Sequence, residues 1–232
     1  MTKSASPLQV LNAGIAGCER CERLRSYCAE VARTRRRAYA EWEYWGRPVP
    51  SFGDETARVL VLGLAPGAHG SNRTGRPFTG DGSGEFLYPV LHEAGFASQA
   101  RAESRDDGMR LDGLWISAVV RCAPPGNKPT VEELRMCASW LDEEMTLLAD
   151  LRVVVCLGRI AFDGLLGWAR RTGQLTGRAG FTFGHGAEFS LAGGLTVIAS
   201  YHPSLQNTNT GKLTRPMFLE IFKRARVVAG LG

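Results

Sequence analysis

Four of the six cysteines in this 232-residue chain fall into two widely separated pairs, Cys18-x-x-Cys21 and Cys122 with Cys137. Two cysteines three residues apart can aim both thiolates at one metal centre, and a remote pair can complete a four-sulfur shell. Tetrahedral zinc and a cubane iron–sulfur cluster both accept four thiolates, so the count does not choose between them. Four unrelated thiols are the plain alternative, since free cysteine often acts as a small buried hydrophobe. The spacing is not that of a small secreted disulfide scaffold, which favours a reducing compartment and metal ligation.

Three further segments carry groups that could do chemistry. The first runs Gly63-Leu64-Ala65-Pro66-Gly67-Ala68-His69-Gly70 and on through Thr74-Gly75-Arg76-Pro77-Phe78-Thr79-Gly80-Asp81. Its glycines let backbone approach a ligand and offer N–H groups to anions. It lacks the Gly-Lys-Ser/Thr of a phosphate-binding P-loop, and it is too long for the tight dinucleotide turn. A flat ring can stack on Phe78 while Asp81 positions a water, although Asp81 also stands where a helix N-cap belongs. The second segment holds Pro124-Pro125-Gly126-Asn127. The third, Tyr201-His202-Pro203-Ser204-Leu205-Gln206-Asn207-Thr208-Asn209-Thr210-Gly211-Lys212, sets one imidazole beside amides and hydroxyls suited to nucleobase edges and phosphates.

These segments need a scaffold, and the chain supplies one. Four apolar runs, Val59–Leu62, Leu114–Val120, Val153–Leu157 and Leu195–Ala199, read as strands buried on both faces. Helical patterns follow each of them: through Phe86, Leu87, Val90 and Leu91; after Thr130 with Glu133 as a capping box; from Ile160 to Ala169; and from Met217 to Val228. Phe181-Thr182-Phe183 reads as an edge strand or hairpin, and 98–112 as an exposed polar insertion. The expected fold is a three-layer α/β/α sandwich about a central, mainly parallel four-stranded sheet, one domain over 1–232. Residues 1–50 read as an N-terminal helical arm, its helix running past Arg33, Arg35, Arg36 and Arg37 through Tyr39, Trp42 and Trp45 to Pro48. In a doubly wound sheet, the loops leaving the carboxyl ends of strands build the site; here they are 63–84, 121–130 and 201–214.

Composition narrows the partner. Lys and Arg number 28 against 23 Asp and Glu, a formal net charge of +5, and hydrophobic residues make up 44%. That is core enough for a full domain, with a mildly basic balance favouring nucleic acid over an acidic metabolite. Ile15-Ala16-Gly17-Cys18 superficially matches a lipoprotein cleavage box, but the stretch before it is interrupted by Gln9 and Asn12 and makes a poor apolar segment. No run is long enough to span a bilayer, so a soluble, cytoplasmic protein is expected.

The ordered combination of Gly63–Gly70, Thr74–Asp81, Val120-Arg121-Cys122-Ala123-Pro124-Pro125-Gly126-Asn127-Lys128-Pro129-Thr130 and His202-Pro203-Ser204 resembles the family 5 uracil-DNA glycosylases, the iron–sulfur, broad-specificity branch. The resemblance runs from Cys18 to the closing helix. It implies that Cys18, Cys21, Cys122 and Cys137 hold a [4Fe–4S] cluster tying down the arm, with Cys28 and Cys156 left over. It implies hydrolysis of the N-glycosidic bond of uracil, hypoxanthine and xanthine in DNA, leaving an abasic site. It implies as partner double-stranded DNA carrying deaminated bases, with single-stranded DNA as a further form, and it implies a monomer, associated with the nucleoid when bound.

On this reading Asp81, His202 and Asn127 are the catalytic residues, and Phe78, Ala68, Gly67 and Asn207 bind the flipped base. Ser204, Gln206 and Lys212 grip DNA, with Arg73 and Arg76 as further contacts. Where the related family 4 carries an acid in Gly-Glu-Ala-Pro-Gly, this chain has Leu64, so water activation has to move to Asp81. Leu64, Ala65 and Ala68 suggest a roomier pocket. The rivals are a non-catalytic iron–sulfur DNA-binding or lesion-sensing module and a zinc-stapled nucleotide hydrolase. The latter lacks both a P-loop and a carboxylate cluster for Mg²⁺.

Overall fold

Each of the four apolar runs forms a short strand, and side-chain alternation along them sorts the rest of the chain into layers. A computed structural model describes residues 4–177 and 180–232. Strands β2 (Val59–Gly63), β3 (Leu114–Ala118), β4 (Val153–Leu157) and β6 (Thr196–Ser200) pair in parallel, with Val61 opposite both Ile116 and Val155. Leu60, Leu62, Val154, Cys156, Val197 and Ala199 point to one face, against α1 (Pro7–Ala16), α2 (Glu22–Thr34), α5 (Val131–Leu147) and α6 (Arg159–Arg171). Val59, Val61, Val153, Val155 and Ile198 point to the other, against α4 (Gly82–Glu93) and α8 (Arg215–Ala229). A strand buried on both sides has no polar face to alternate with, which is why these segments read as unbroken apolar runs.

The sheet has six strands rather than the expected four. Two short antiparallel edges flank the parallel core, β1 (Phe52–Gly53) on β3 and β5 (Glu188–Ser190) on β6, giving the order β1-β3-β2-β4-β6-β5. With two and three residues and partial exposure, neither produces an apolar run in the sequence. Residues 181–183, expected as the edge, form no strand; Phe181 and Phe183 pack their rings on Phe189 and Phe162 instead.

Two other expectations change. The arm's helix does not reach Trp45: α2 ends at Thr34, Arg35 turns left-handed at φ 53°, and the chain folds back. Trp45 and Gly46 N–H groups then donate to the Arg73 and Asn72 carbonyls, tying this segment to α3 (Ser71–Thr74) within the glycine-rich loop. Segment 98–112 is not wholly an exposed insertion, because Met109 and Leu111 are buried and Asp107 pairs with buried Arg76. The capping box at the start of α5 is present on both sides: Glu133 N donates to Thr130 Oγ1, and Thr130 N to Glu133 Oε2. A second box, Ser6 with Gln9, starts α1, whose Leu8, Leu11 and Ile15 bury one face on the domain. No helix among the described residues is long and apolar enough to cross a membrane.

Candidate active site

The loops after β2, β3 and β6 enclose a cavity of about 560 Å³, within the size range of small-molecule pockets. Its walls are mainly apolar, with Val49, Leu64, Ala65, Pro66 and Phe78, and its polar groups include Asp81, Asn127, His202 and Arg121.

Phe78 adopts φ 51°, a left-handed conformation that is an outlier for a bulky side chain. Its surroundings impose it. The Pro77 carbonyl before it accepts from Tyr88 Oη and Thr79 Oγ1, and its own carbonyl abuts Gly84, where a Cβ would lie only 1.8 Å from the oxygen. The ring closes over the end of β2, where any side chain at Gly63 would meet it at 2.8 Å. The ring centre lies 6.0 Å from that of His202, the two planes tilted by 33°.

Asp81 is an N-cap and something more. Oδ1 accepts from the Ser83 and Gly84 N–H groups at 3.1 Å each, capping α4. Oδ2 turns the other way, over Gly67 and Gly70. Burial raises the carboxyl above its ordinary range, and the two cap N–H groups only partly oppose that. A carboxylate raised toward neutrality makes a better general base than a free one.

His202 follows β6 and is partly exposed by surface area, yet closely surrounded by protein. Burial alone pushes its pKa down to about 4, so the imidazole is neutral at physiological pH. It therefore offers a hydrogen bond rather than a positive charge. Asn127, at the mouth, also adopts a positive φ of 57°, which Asn tolerates better than most residues. Among the described residues its side chain makes no internal hydrogen bond.

The structure brings Phe78, Asp81, Asn127, His202, Gly67, Ser204 and Gln206 to this one cavity. Other expected members stand elsewhere. Asn207 does not line the pocket: its Nδ2 donates to the His202 carbonyl at 2.8 Å, which makes it a support for the imidazole. Ala68 packs on the core behind the loop. Arg73 turns inward, being 4% exposed, bonded to the His69 and Gly80 carbonyls, and lying over the Tyr39 and Trp42 rings at 3.9 and 4.1 Å. Arg76 is likewise buried, in a bidentate pair with Asp107 at 2.7 and 2.8 Å. A cation in a glycine loop reads as a phosphate ligand only while its internal partner is unknown. Lys212 remains exposed, its ammonium 4.8 Å from the Tyr201 ring centre.

Several lining residues, Val49, Ala118 and Arg121 among them, were not singled out by sequence, and Leu205 was read only as part of a 203–212 segment wedging into DNA. Arg121 is buried beside the pocket. Leu205, at the start of α7 (Leu205–Asn209), is 59% exposed and rests on Gly82. An apolar residue just after His202-Pro203-Ser204 was the available signal for Leu205; an arginine directly after a buried strand was the signal for Arg121.

Cys18, Cys21, Cys122 and Cys137 line a separate recess, walled by Leu24, Val120, Met136 and Trp140 and bordered by Arg20 and Arg25. Burial, then proximity to Cys137 and Cys18, pushes the Cys21 thiol up to about 11. Cys28, buried alongside, donates to the Ala123 carbonyl at 3.6 Å. Among the described residues no three His, Cys, Asp or Glu side chains are gathered closely enough for a single metal ion.

A mainly parallel sheet with a mainly apolar pocket at its strand ends, lined by a buried carboxylate, a neutral imidazole and an aromatic ring, is the arrangement of an α/β enzyme. Residues 50–226 match the profile of the uracil DNA glycosylase superfamily, and the chain belongs to that superfamily. It is 54% identical over 217 residues to a type-5 uracil-DNA glycosylase of Thermus thermophilus, covering 94% of this chain and 96% of that one. It is 46% identical to one from Pyrobaculum aerophilum, covering 93% and 91%. A type-4 uracil-DNA glycosylase of Thermotoga maritima is 28% identical over 75% of this chain and 79% of that one.

Proposed function

We propose that this chain is a DNA repair glycosylase that removes uracil, and with it hypoxanthine and xanthine, by hydrolysing the N-glycosidic bond of a flipped-out nucleotide. The observation that carries the reading is the convergence of Phe78, Asp81, Asn127 and His202 on one cavity. The target atom lies inside the base stack, so the nucleotide has to leave it, at a cost of a few kcal/mol that is least for a mispaired base. Leu205, exposed and apolar beside the pocket, fills the vacated gap in the stack.

The extruded base stacks on Phe78, and the Asn127 amide meets its edge. As the C1′–N bond breaks, its electron pair leaves with the base, and the neutral His202 N–H donates to the carbonyl oxygen where the charge gathers. Stabilisation aimed at charge that grows in the transition state lowers the barrier most. Water adds its oxygen at C1′ and gives its proton to the Asp81 carboxylate, which also offsets the cationic character of the sugar. No acid stands at Leu64, so Asp81 is the water-facing carboxylate of this pocket. The apolar Leu64 and small Ala65 leave room for a purine.

The reading extends to a [4Fe–4S] cluster on Cys18, Cys21, Cys122 and Cys137. What supports it is a donor set of four thiols around one apolar recess bordered by arginines, suited to offset thiolate charge. When bound, such a cluster supplies iron–thiolate bonds joining the arm to the loop after β3.

Single-turnover base release from duplexes holding uracil or hypoxanthine tests the proposal. Both should yield alkali-sensitive abasic sites. Failure with hypoxanthine alone removes the broad pocket, and failure with both leaves a binding module.

A further inference from the structure

Among the described residues, Arg121 is the one that borders both the base pocket and the cysteine recess. Its main chain is held from two sides. The N–H donates to Cys137 Sγ at 3.4 Å, and the carbonyl accepts from Val49 N at 2.7 Å. Its side chain, 3% exposed, meets the fully buried carboxylate of Glu144, on the same helix α5 that carries Cys137. Nη2 donates to Glu144 Oε2 at 2.7 Å and Nη1 to Ser51 Oγ at 2.5 Å, while Nε is buried without a partner.

Glu144 is fully used. It accepts also from Trp115 Nε1 at 2.9 Å, Ser117 Oγ at 2.5 Å and the Ser51 hydroxyl. Ser51 is bonded through its backbone to Asn12 of α1 at 2.9 and 3.1 Å. The network thus joins α1, β3, α5 and the loop after β3. A buried ion pair gains little over well-packed apolar groups, but removing one partner strands a charge, and such pairs serve best to fix one arrangement.

The geometry points to Arg121 as a positioning residue: it holds the pocket wall, and Asn127 six residues on, in a fixed relation to the cysteine recess. A shift at Cys122 or Cys137 reaches the Arg121 amide, and Arg121 transmits it to the pocket. The second half rests on the recess being the seat of the cluster proposed above.

Arg121→Lys keeps the charge but not the two-pronged grip, and Glu144→Gln keeps the shape but not the charge. Each purified, iron-loaded variant should melt lower, because a buried partner is weakened or lost, yet keep its Kd for duplex and, at a temperature where it is fully folded, lose about tenfold or more in single-turnover base release at saturating DNA. The double variant should be no slower than the worse single one, because both disturb one unit. Binding of duplex with a non-cleavable fluorinated uracil nucleotide should alter the visible circular dichroism of the bound cluster in the unmutated protein, and Arg121→Lys should abolish that change.

A folded Arg121→Lys with an unchanged saturated rate overturns the positioning role. If that variant does not fold, Glu144→Gln decides on the same readouts. A dichroism change equal in both proteins, or absent from the unmutated one, overturns the coupling to the recess. If the unmutated protein binds no iron, the cluster reading fails, and the saturated rate alone decides the pocket half.

Discussion

The Asp81 carboxylate occupies the place a side chain at Gly70 would need: a Cβ there would lie 2.0 Å from Oδ2 and 2.6 Å from Cγ. Glycine at 70 is therefore part of what sets the carboxylate's direction. Gly70→Ala should push Asp81 out of line, lowering base release by about tenfold or more for a displacement on the order of 1 Å. Single-turnover rates on uracil duplex, with a crystal structure of the variant to locate Oδ2, check this.

The two oxygens of Asp81 do different work, and substitutions can separate them. Asparagine caps helices about as well as aspartate, so Asp81→Asn should keep the melting temperature while base release falls on the order of 10²-fold or more. Asp81→Ala should lose the rate and also about 1 kcal/mol of stability with the cap. Thermal melts alongside base-release rates distinguish the two. A fast Asn variant would leave Asp81 a cap only.

Acid, not alkali, should limit this site near neutrality. The reaction requires Asp81 ionised and His202 neutral; burial raises the first above its ordinary range and lowers the second to about 4. Base release should fall on the acid side as Asp81 takes up a proton, without the inflection an ordinary histidine would give near 6.5. For stability the sign follows from proton uptake. Between the folded value near 4 and the ordinary 6.5, the unfolded chain binds more protons at His202. Its contribution is therefore present above 6.5 and is lost as pH falls toward 4. A His202→Ala variant should show a weaker acid dependence of its melting temperature across that window.

Arg76 and Lys212 should differ in kind when removed. Burial works to raise Asp107, but hydrogen bonds from Arg76, Met109 N and Glu103 N overcome it and hold the carboxyl at about 2. Arg76→Ala leaves the half-buried Asp107 with only its backbone donors and should cost roughly 1.5–3 kcal/mol of stability, with little change in the salt dependence of DNA binding. Lys212→Ala should leave stability intact and reduce the slope of log K against log salt by about one. Denaturant melts and binding titrations over a salt series provide both numbers.

The parallel core was legible because burial on both faces removes every polar position from Val59–Leu62 and Val153–Val155. The α5 boundary was legible because Thr130 and Glu133 satisfy each other locally. What escaped depends on partners distant in sequence. Arg76 and Asp107 lie 31 residues apart, and nothing near Arg76 signals that it turns inward. The edge strands escaped because a two- or three-residue ladder is defined by its neighbour. For α1, the signal was present: Leu8, Leu11 and Ile15 keep helical spacing after a Ser6–Gln9 box, though Asn12 and Gln9 mask it as a failed apolar run. The site was read as three loops and Asp81 as cap or catalyst; that each of its oxygens faces a different task needed coordinates.

A side chain at Gly63 would strike the Phe78 ring at 2.8 Å, so the ring packs directly on the end of β2 and fixes the height of the pocket floor. That floor rests on a strand end, which cannot sink or rise to suit a guest. Pyrimidines and purines have the same thickness, so a slab against this surface fits either. Discrimination among bases is left to the perimeter, where outline and hydrogen-bonding pattern differ, and selectivity should be altered by residues bordering the ring's edge far more than by those beneath its face.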